Sequence, residues 1–204
     1  MKLITSKRLV ATLAVFIVGF FGAKAFAESH PVTIDEDRSE IDWESDAPAE
    51  KILGEASGLE GTLKLDLENP EETSGKISFP VDSMKTGNST RDKHLQSKAW
   101  LDAKKHPDIT FEVEKLEDVD KTEKDGRIDI EATVVGTVEV KGVKNEEKAK
   151  ISAAILPDKK KIRVQPELEI SLDDYKVKGR KGGTIGRDVA KTIEIEGVLY
   201  GKWE

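Results

Sequence analysis

Residues 162–172 read Ile162-Arg163-Val164-Gln165-Pro166-Glu167-Leu168-Glu169-Ile170-Ser171-Leu172. Even positions are apolar and odd positions are polar. A period of two belongs to a β-strand, whose successive side chains point to opposite faces. One face of this strand is therefore buried and the other is wet. Proline has no N–H to give a ladder, so Pro166 predicts a strand edge or a bulge at that point.

The same alternation recurs in both directions. Ile41 and Trp43 begin it, and Leu59, Gly61, Leu63, Leu65 and Leu67 share a face. Ile77, Phe79 and Val81 form another run, as do Ile109, Phe111 and Val113. A longer run takes every second residue from Ile128 to Val140, with a bend expected at Gly136. Ala149 to Ile155 and Ile193 to Trp203 complete the set. Polar, turn-forming stretches such as Glu68-Asn69-Pro70, Lys124-Asp125-Gly126, Lys141-Gly142 and Pro157-Asp158-Lys159 separate the runs. The count is about eight amphipathic antiparallel strands, which must sandwich or curl into a barrel to hide their apolar faces. A barrel of that size is filled by side chains or holds one small ligand.

One segment breaks the alternation. A short helical insert is expected at about 89–100, with Ser89 as N-cap and Asp92 in capping-box position. Leu95 and Ala99, spaced i, i+4, would face the sheet.

The N-terminus has the form of a secretory signal peptide over residues 1–27. Lys2, Lys7 and Arg8 precede an uncharged stretch from Leu9 to Ala23, and Ala25-Phe26-Ala27 is a small-x-small cleavage signature. The uncharged stretch is shorter than the roughly 20 residues of a spanning helix, so no permanent membrane anchor is expected after cleavage. Residues 28–38 read as an irregular lead-in, and residues 39–204 as one barrel domain. The mature chain then carries 29 basic against 40 acidic side chains, a net charge of −11. Such a surface repels phosphate backbones and argues against nucleic-acid binding. With no cysteine, disulfides, thiolate metal sites and Cys catalysis are all excluded.

The segment Ser83-Met84-Lys85-Thr86-Gly87-Asn88-Ser89-Thr90-Arg91-Asp92-Lys93-His94-Leu95-Gln96-Ser97 is distinctive, and is followed by Ala99-Trp100-Leu101-Asp102 and His106-Pro107-Asp108-Ile109-Thr110-Phe111. It resembles the YceI-like polyisoprenoid-binding family, with its "S-x-x-T-G-N…R-D-x-H-L-x-S" stretch followed by "P-x-I-T-F". Ser39-Glu40-Ile41-Asp42-Trp43 is similar to that family's first strand, with Trp43 where Phe is usual. Gly58-Leu59-Glu60-Gly61 lacks the family's aromatic, and Gly136 to Lys144 resembles its "G-x-L-T-I-x-G-V-T-K" turn. The resemblance runs from about Val32 to Trp203. It implies an all-β, extended antiparallel lipocalin-like barrel, exported to the periplasm, with an elongated apolar pocket for an isoprenoid chain. It implies no enzymatic activity.

Alternation assigns Trp43, Leu63, Leu65, Phe79, Phe111, Ile130, Val134, Ile151, Val164, Leu168 and Ile193 to the barrel lining, as ligand-binding candidates. Thr86, Gly87, Asn88, Arg91, Asp92, His94, Leu95, Pro107 and Phe111 carry the family motif and read as structural. Arg91, Asp92 and His94 are expected to tie the helix and its preceding loop to a barrel end. Asp92 and His94 stand at i, i+2 and do not face each other on a helix, so no catalytic pair is expected. His30, His94 and His106 show no metal-ligand spacing, and Asp35-Glu36-Asp37 lacks the pattern of a calcium loop.

The expected partner is a hydrophobic small molecule, such as a polyisoprenoid or fatty-acid-like lipid, with no other cofactor and no metal. The protein would be a monomer or homodimer. The alternative is a ligand-free structural or stress-response barrel. Cavity volume separates the two, since a drug-sized ligand does not fit below about 300 Å³. A lipid hydrolase or isomerase would need titratable groups at inward positions, and alternation places none there. The basic stretch Lys176-Val177-Lys178-Gly179-Arg180-Lys181-Gly182-Gly183 is either a solvated strand connection or a gate that meets a ligand headgroup such as a prenyl phosphate.

Overall fold

The computed structural model describes residues 29–47, 50–177 and 189–204. Ten strands and one α-helix follow in order: β1 (Ser29–Ile34), β2 (Glu40–Ala47), β3 (Glu50–Ala56), β4 (Glu60–Asp66), β5 (Ser74–Pro80), α1 (Ser89–Leu95), β6 (Asp108–Lys124), β7 (Arg127–Val140), β8 (Val143–Leu156), β9 (Lys161–Ser171) and β10 (Thr192–Lys202). The expected signal peptide, and residues 178–183 of the basic stretch, lie outside the described residues.

All pairings are antiparallel, in the order β1-β4-β5-β6-β7-β8-β9-β10. Strand β10 returns to β1 through Thr33↔Lys202 and Ile34↔Gly201 and closes the barrel. The β2–β3 hairpin continues the same wall. Strand β10 pairs with β2 over Glu194–Val198 and with β1 only further on, so β1 and β2 act as one long strand broken at residues 35–39. Strands β3 and β4 pair with β2 and β1 respectively, and form a second broken strand. Counted this way, the described residues form a closed eight-stranded antiparallel barrel with one α-helix, as the family resemblance implies; of the sandwich and the barrel that the alternation allows, it is the barrel.

Several local expectations change. Residues 29–34 are not an irregular lead-in: they form β1, with Val32 and Ile34 buried among the core of one barrel half. The polar residues between them hid a two-residue alternation too short to register. Asn88, not Ser89, caps α1, its Oδ1 accepting from the Thr90 and Arg91 N–H groups at 3.0 and 3.2 Å. The helix stops at Leu95 because residues 97–102 fold into tight turns. The Ser97 hydroxyl donates to the His94 carbonyl at 2.6 Å, and the Trp100 and Asp102 N–H groups donate to the Ser97 carbonyl. Ala99 is therefore exposed, while Leu95 packs on the core with Trp100 and Ala103.

Pro166 marks neither an edge nor a bulge. It sits within β9, paired with Ile151 on β8. On the β10 side the ladder lapses between Glu167↔Glu196 and Val164↔Leu199, and the register is the same on both sides of the gap. The missing proline N–H accounts for the lapse. At Gly136 the expected irregularity is real. The β6 register slips between Val113 and Lys115 opposite this residue, and a Cβ there would press on the Phe111 ring.

The inward side chains form two core clusters. One gathers Val32, Leu65, Leu116, Ile130, Ile155 and Trp203, and the other gathers Trp43, Ile52, Met84, Val138, Ile170 and Ile193. Ile41, Phe79, Phe111 and Leu168 pack against both.

Candidate functional site

A hydrogen-bonded wall of eight strands fixes the barrel's width independently of its filling. Inward positions hold mostly Ile, Val and Leu, with Ala149 and Ala153 on β8. These side chains are too short to meet across the axis. The result is a cavity of about 950 Å³ that runs through both core clusters. It has room for roughly 30 water-sized or methylene-sized groups at about 30 Å³ each.

Each residue that alternation assigned to the lining stands on this cavity wall. Trp43 comes from β2, Leu63 and Leu65 from β4, and Phe79 from β5. Phe111 comes from β6, and Ile130 and Val134 from β7. Ile151, Val164, Leu168 and Ile193 come from the last three strands. Phe79, Phe111, Ile151, Val164 and Leu168 are only half-buried, because one side of each faces open space within the barrel.

Among the described residues, the exposed part of the cavity lining gathers at one place. Its exposed lining residues are Glu50 on β3, Asn88, and Thr90 and His94 on α1. The geometry of the chain explains the gap. Strand β5 ends at Pro80, and the outer edge of β3 finds one bridge, in which Glu55 and Lys85 exchange backbone hydrogen bonds of 2.9 Å. Beyond that bridge, towards Glu50, α1 contributes Thr90, Arg91, His94 and Leu95 to the cavity lining. Among the described residues, one side-chain link spans the gap: Arg91 Nη2 donates to Glu50 Oε1 at 2.9 Å.

The family-motif residues build this mouth. Asp92 Oδ1 accepts from the Thr86 N–H at 2.9 Å and from the Thr86 hydroxyl at 2.7 Å, which pins the loop to the helix. Gly87 takes a positive φ of 70° at the turn before the cap. Leu95 anchors the helix in the core, and the Pro107 carbonyl accepts the Val81 N–H at 2.7 Å, holding the start of β6 to the end of β5. Arg91 joins the helix to β3, whereas His94 makes no tie through its ring among the described residues and instead lines the mouth.

Sequence reasoning missed several contributors. Glu50 and Thr90 line the mouth and carry no periodic signal. Tyr175, in the turn after β9, is fully buried, and its hydroxyl donates to Glu147 Oε1 at 2.8 Å. Burial, and then the Glu147 carboxylate, push this phenol well above its ordinary range. It therefore stays neutral and packs in the same buried cluster as Leu172 and Val177. Trp43 Nε1 and Thr73 Oγ1, both of residues on the cavity wall, are buried without a hydrogen-bond partner. Among the described residues, no group of three acidic or histidine side chains is placed to hold a metal ion.

A YceI-like domain family model matches residues 32–197. The chain belongs to the YceI-like family. Among curated relatives of this YceI-like protein, a UPF0312 protein of Pectobacterium atrosepticum is 26% identical over 153 residues, covering 72% of this chain and 73% of the relative. A UPF0312 protein of Pseudomonas aeruginosa is 26% identical over 107 residues, covering 52% of this chain and 56% of its own length. Two solved structures share the fold. Burkholderia cenocepacia BcnA aligns at a TM-score of 0.65 with 18% identity, over 82% of this chain and 98% of BcnA. A polyisoprenoid binding domain from Saccharophagus degradans, implicated in plant cell wall breakdown, aligns at 0.63 with 15% identity, over 86% and 99%.

Proposed function

We propose that this YceI-like protein binds and carries one lipid-like amphiphile, an isoprenoid or a chain of similar girth, in the barrel interior. The observation that carries this reading is the cavity itself: about 950 Å³, walled by aliphatic and aromatic side chains, with ionisable lining, among the described residues, confined to its mouth. Each methylene transferred from water to such a wall gains about 0.8 kcal/mol. The volume exceeds the roughly 300 Å³ at which a drug-sized ligand begins to fit, and speaks against the ligand-free scaffold. The polyisoprenoid-binding description of the Saccharophagus neighbour points the same way.

Binding, and not catalysis, is the role we assign. Burial of a chain against apolar walls needs no directional chemistry, and among the described residues the ionisable lining is limited to Glu50, Arg91 and His94 at the solvent edge. The basic, apolar and small-residue pattern of residues 1–27 supports export to the periplasm, where a soluble carrier would move a lipid between membranes. The carrier acts as a monomer or homodimer.

Trp43 and Trp100 line the cavity and report on its contents. Titration with farnesol is expected to change tryptophan emission saturably at one molecule per chain. A linear, non-saturating change up to the solubility limit would contradict the carrier reading.

A further inference from the structure

We infer that Phe111 and Gly136 together set the length of chain that the lumen accepts. With glycine on β7, the phenyl ring lies back against the wall and keeps open a waist between two halves of the cavity. The inference rests on the carrier reading above.

The two core clusters line two halves of one cavity. Val32, Leu116 and Ile155 stand in one half, and Trp43, Ile52 and Ile193 in the other. Leu95 and Trp100 line the cavity and pack on the second cluster, so that half adjoins the mouth and the first is the inner half. Among the described residues, four partly buried side chains pack against both clusters: Ile41 on β2, Phe79 on β5, Phe111 on β6 and Leu168 on β9. All four line the cavity. In the closed order of strands β5 and β9 stand opposite each other, so Phe79 and Leu168 reach in from facing walls. These four side chains form the waist.

Phe111 is the waist residue whose place depends on a glycine. Its own register partner on β7 is Val138, and Gly136 pairs with Val113, the next inward residue of β6. A Cβ built on Gly136 would stand 2.8 Å from Phe111 Cε2. The ring edge therefore occupies the space of a missing β7 side chain and not the axis of the lumen. A glycine inside a strand often marks such a close approach. Gly136 falls at an inward position of β7, between Val134 and Val138, so a side chain there would drive the ring towards the axis. The same Cβ would also meet the Glu112 carbonyl oxygen, where the β6 register slips.

Size makes the waist matter. A volume of about 950 Å³ holds roughly 30 methylene-sized groups at about 30 Å³ each. Hexaprenol, with about 30 carbons, needs both halves on that scale, whereas geraniol, with about 10, fits in the half next to the mouth. An apolar pocket discriminates weakly for any single methylene, so strong selection by length comes from where the lumen is blocked.

The test equilibrates the intact mature protein with geraniol or hexaprenol presented from cyclodextrin, and the bound alcohol is extracted and quantified. Wild type is expected to bind hexaprenol at least tenfold tighter than geraniol. Phe111→Trp, whose larger ring does not fit the space over Gly136, is expected to weaken hexaprenol at least tenfold and leave geraniol within twofold. Gly136→Ala is expected to do the same, and Phe111→Leu added to it is expected to restore hexaprenol to within threefold of wild type. That rescue separates a displaced ring from a damaged strand, because the contact with the Glu112 carbonyl persists in the double variant. If Gly136→Ala does not fold, Phe111→Trp carries the test alone. Hexaprenol binding that is unchanged in Phe111→Trp, or lowered together with geraniol binding, would overturn the waist. Wild type that binds geraniol and refuses hexaprenol would overturn it too and leave the carrier reading standing. Binding of neither alcohol would overturn both.

Discussion

The indole of Trp43 on β2 lies across the backbone of Gly54 on β3. The two residues are cross-strand partners, and a Cβ on Gly54 would overlap the six-membered edge of the ring. Glycine at this position lets a large aromatic lie flat along the barrel wall and leaves the lumen open. Gly54→Ala forces the indole inward. The expected cost is about 1–3 kcal/mol of stability, read by denaturant titration, with weaker ligand uptake. Unchanged stability and uptake would show that the ring has other places to go.

Leu168 faces the cavity from β9 and packs against both core clusters. Leu168→Trp places a bulky ring in open space without crowding a filled core. Farnesol affinity is expected to fall at least tenfold while Tm is unchanged or higher, since a filled void regains lost dispersion contacts. Full-strength binding by this variant would place the ligand elsewhere.

The Asp92 carboxylate carries both ties from α1 to Thr86. Hydrogen bonds to a charged group contribute about 1.5–3 kcal/mol each. Asp92→Ala is expected to destabilise the protein by about 2 kcal/mol and to expose residues 84–95 to limited proteolysis before the strands yield. Proteolysis that begins elsewhere would mean that the mouth is held by other contacts.

On the outer face, Glu117 sits between Lys115 at 2.7 Å and Lys148 at 2.8 Å. Hydrogen bonds from these two lysines lower its pKa from 4.5 to about 2. A depressed folded-state pKa contributes stability above the unfolded value and loses it as pH falls through the folded one. The Tm difference between wild type and Glu117→Gln is therefore expected to be constant above about pH 5. It should narrow between pH 4.5 and 2, the window of the shift. A difference that persists at pH 2 would contradict the pairing.

Much of the barrel was legible because one face of each strand is apolar. The run from Ile162 to Leu172 gave β9 almost to the residue, and the assigned lining from Trp43 to Ile193 lies on the cavity wall. Strand β1 escaped because its alternation spans two buried residues, Val32 and Ile34, too few for a period to stand out. The cap moved by one residue because Asn88 and Ser89 are both good acceptors, and only the path of the turn at Gly87 decides between them. Glu50 was invisible for a deeper reason. Its place in the mouth comes from Arg91, 41 residues away in sequence, and no local pattern encodes such a pair. Cavity volume, likewise, follows from strand number and closure together with the size of the inward side chains, and alternation alone gives neither number nor closure.

The most direct test of the central claim is native mass spectrometry of the protein purified from its own host, followed by solvent extraction of what it holds. The account predicts a reproducible one-to-one adduct of lipid mass that is lost on denaturation and absent from Leu168→Trp. A clean apo mass under gentle conditions, in protein that also fails to take up added farnesol, would contradict it.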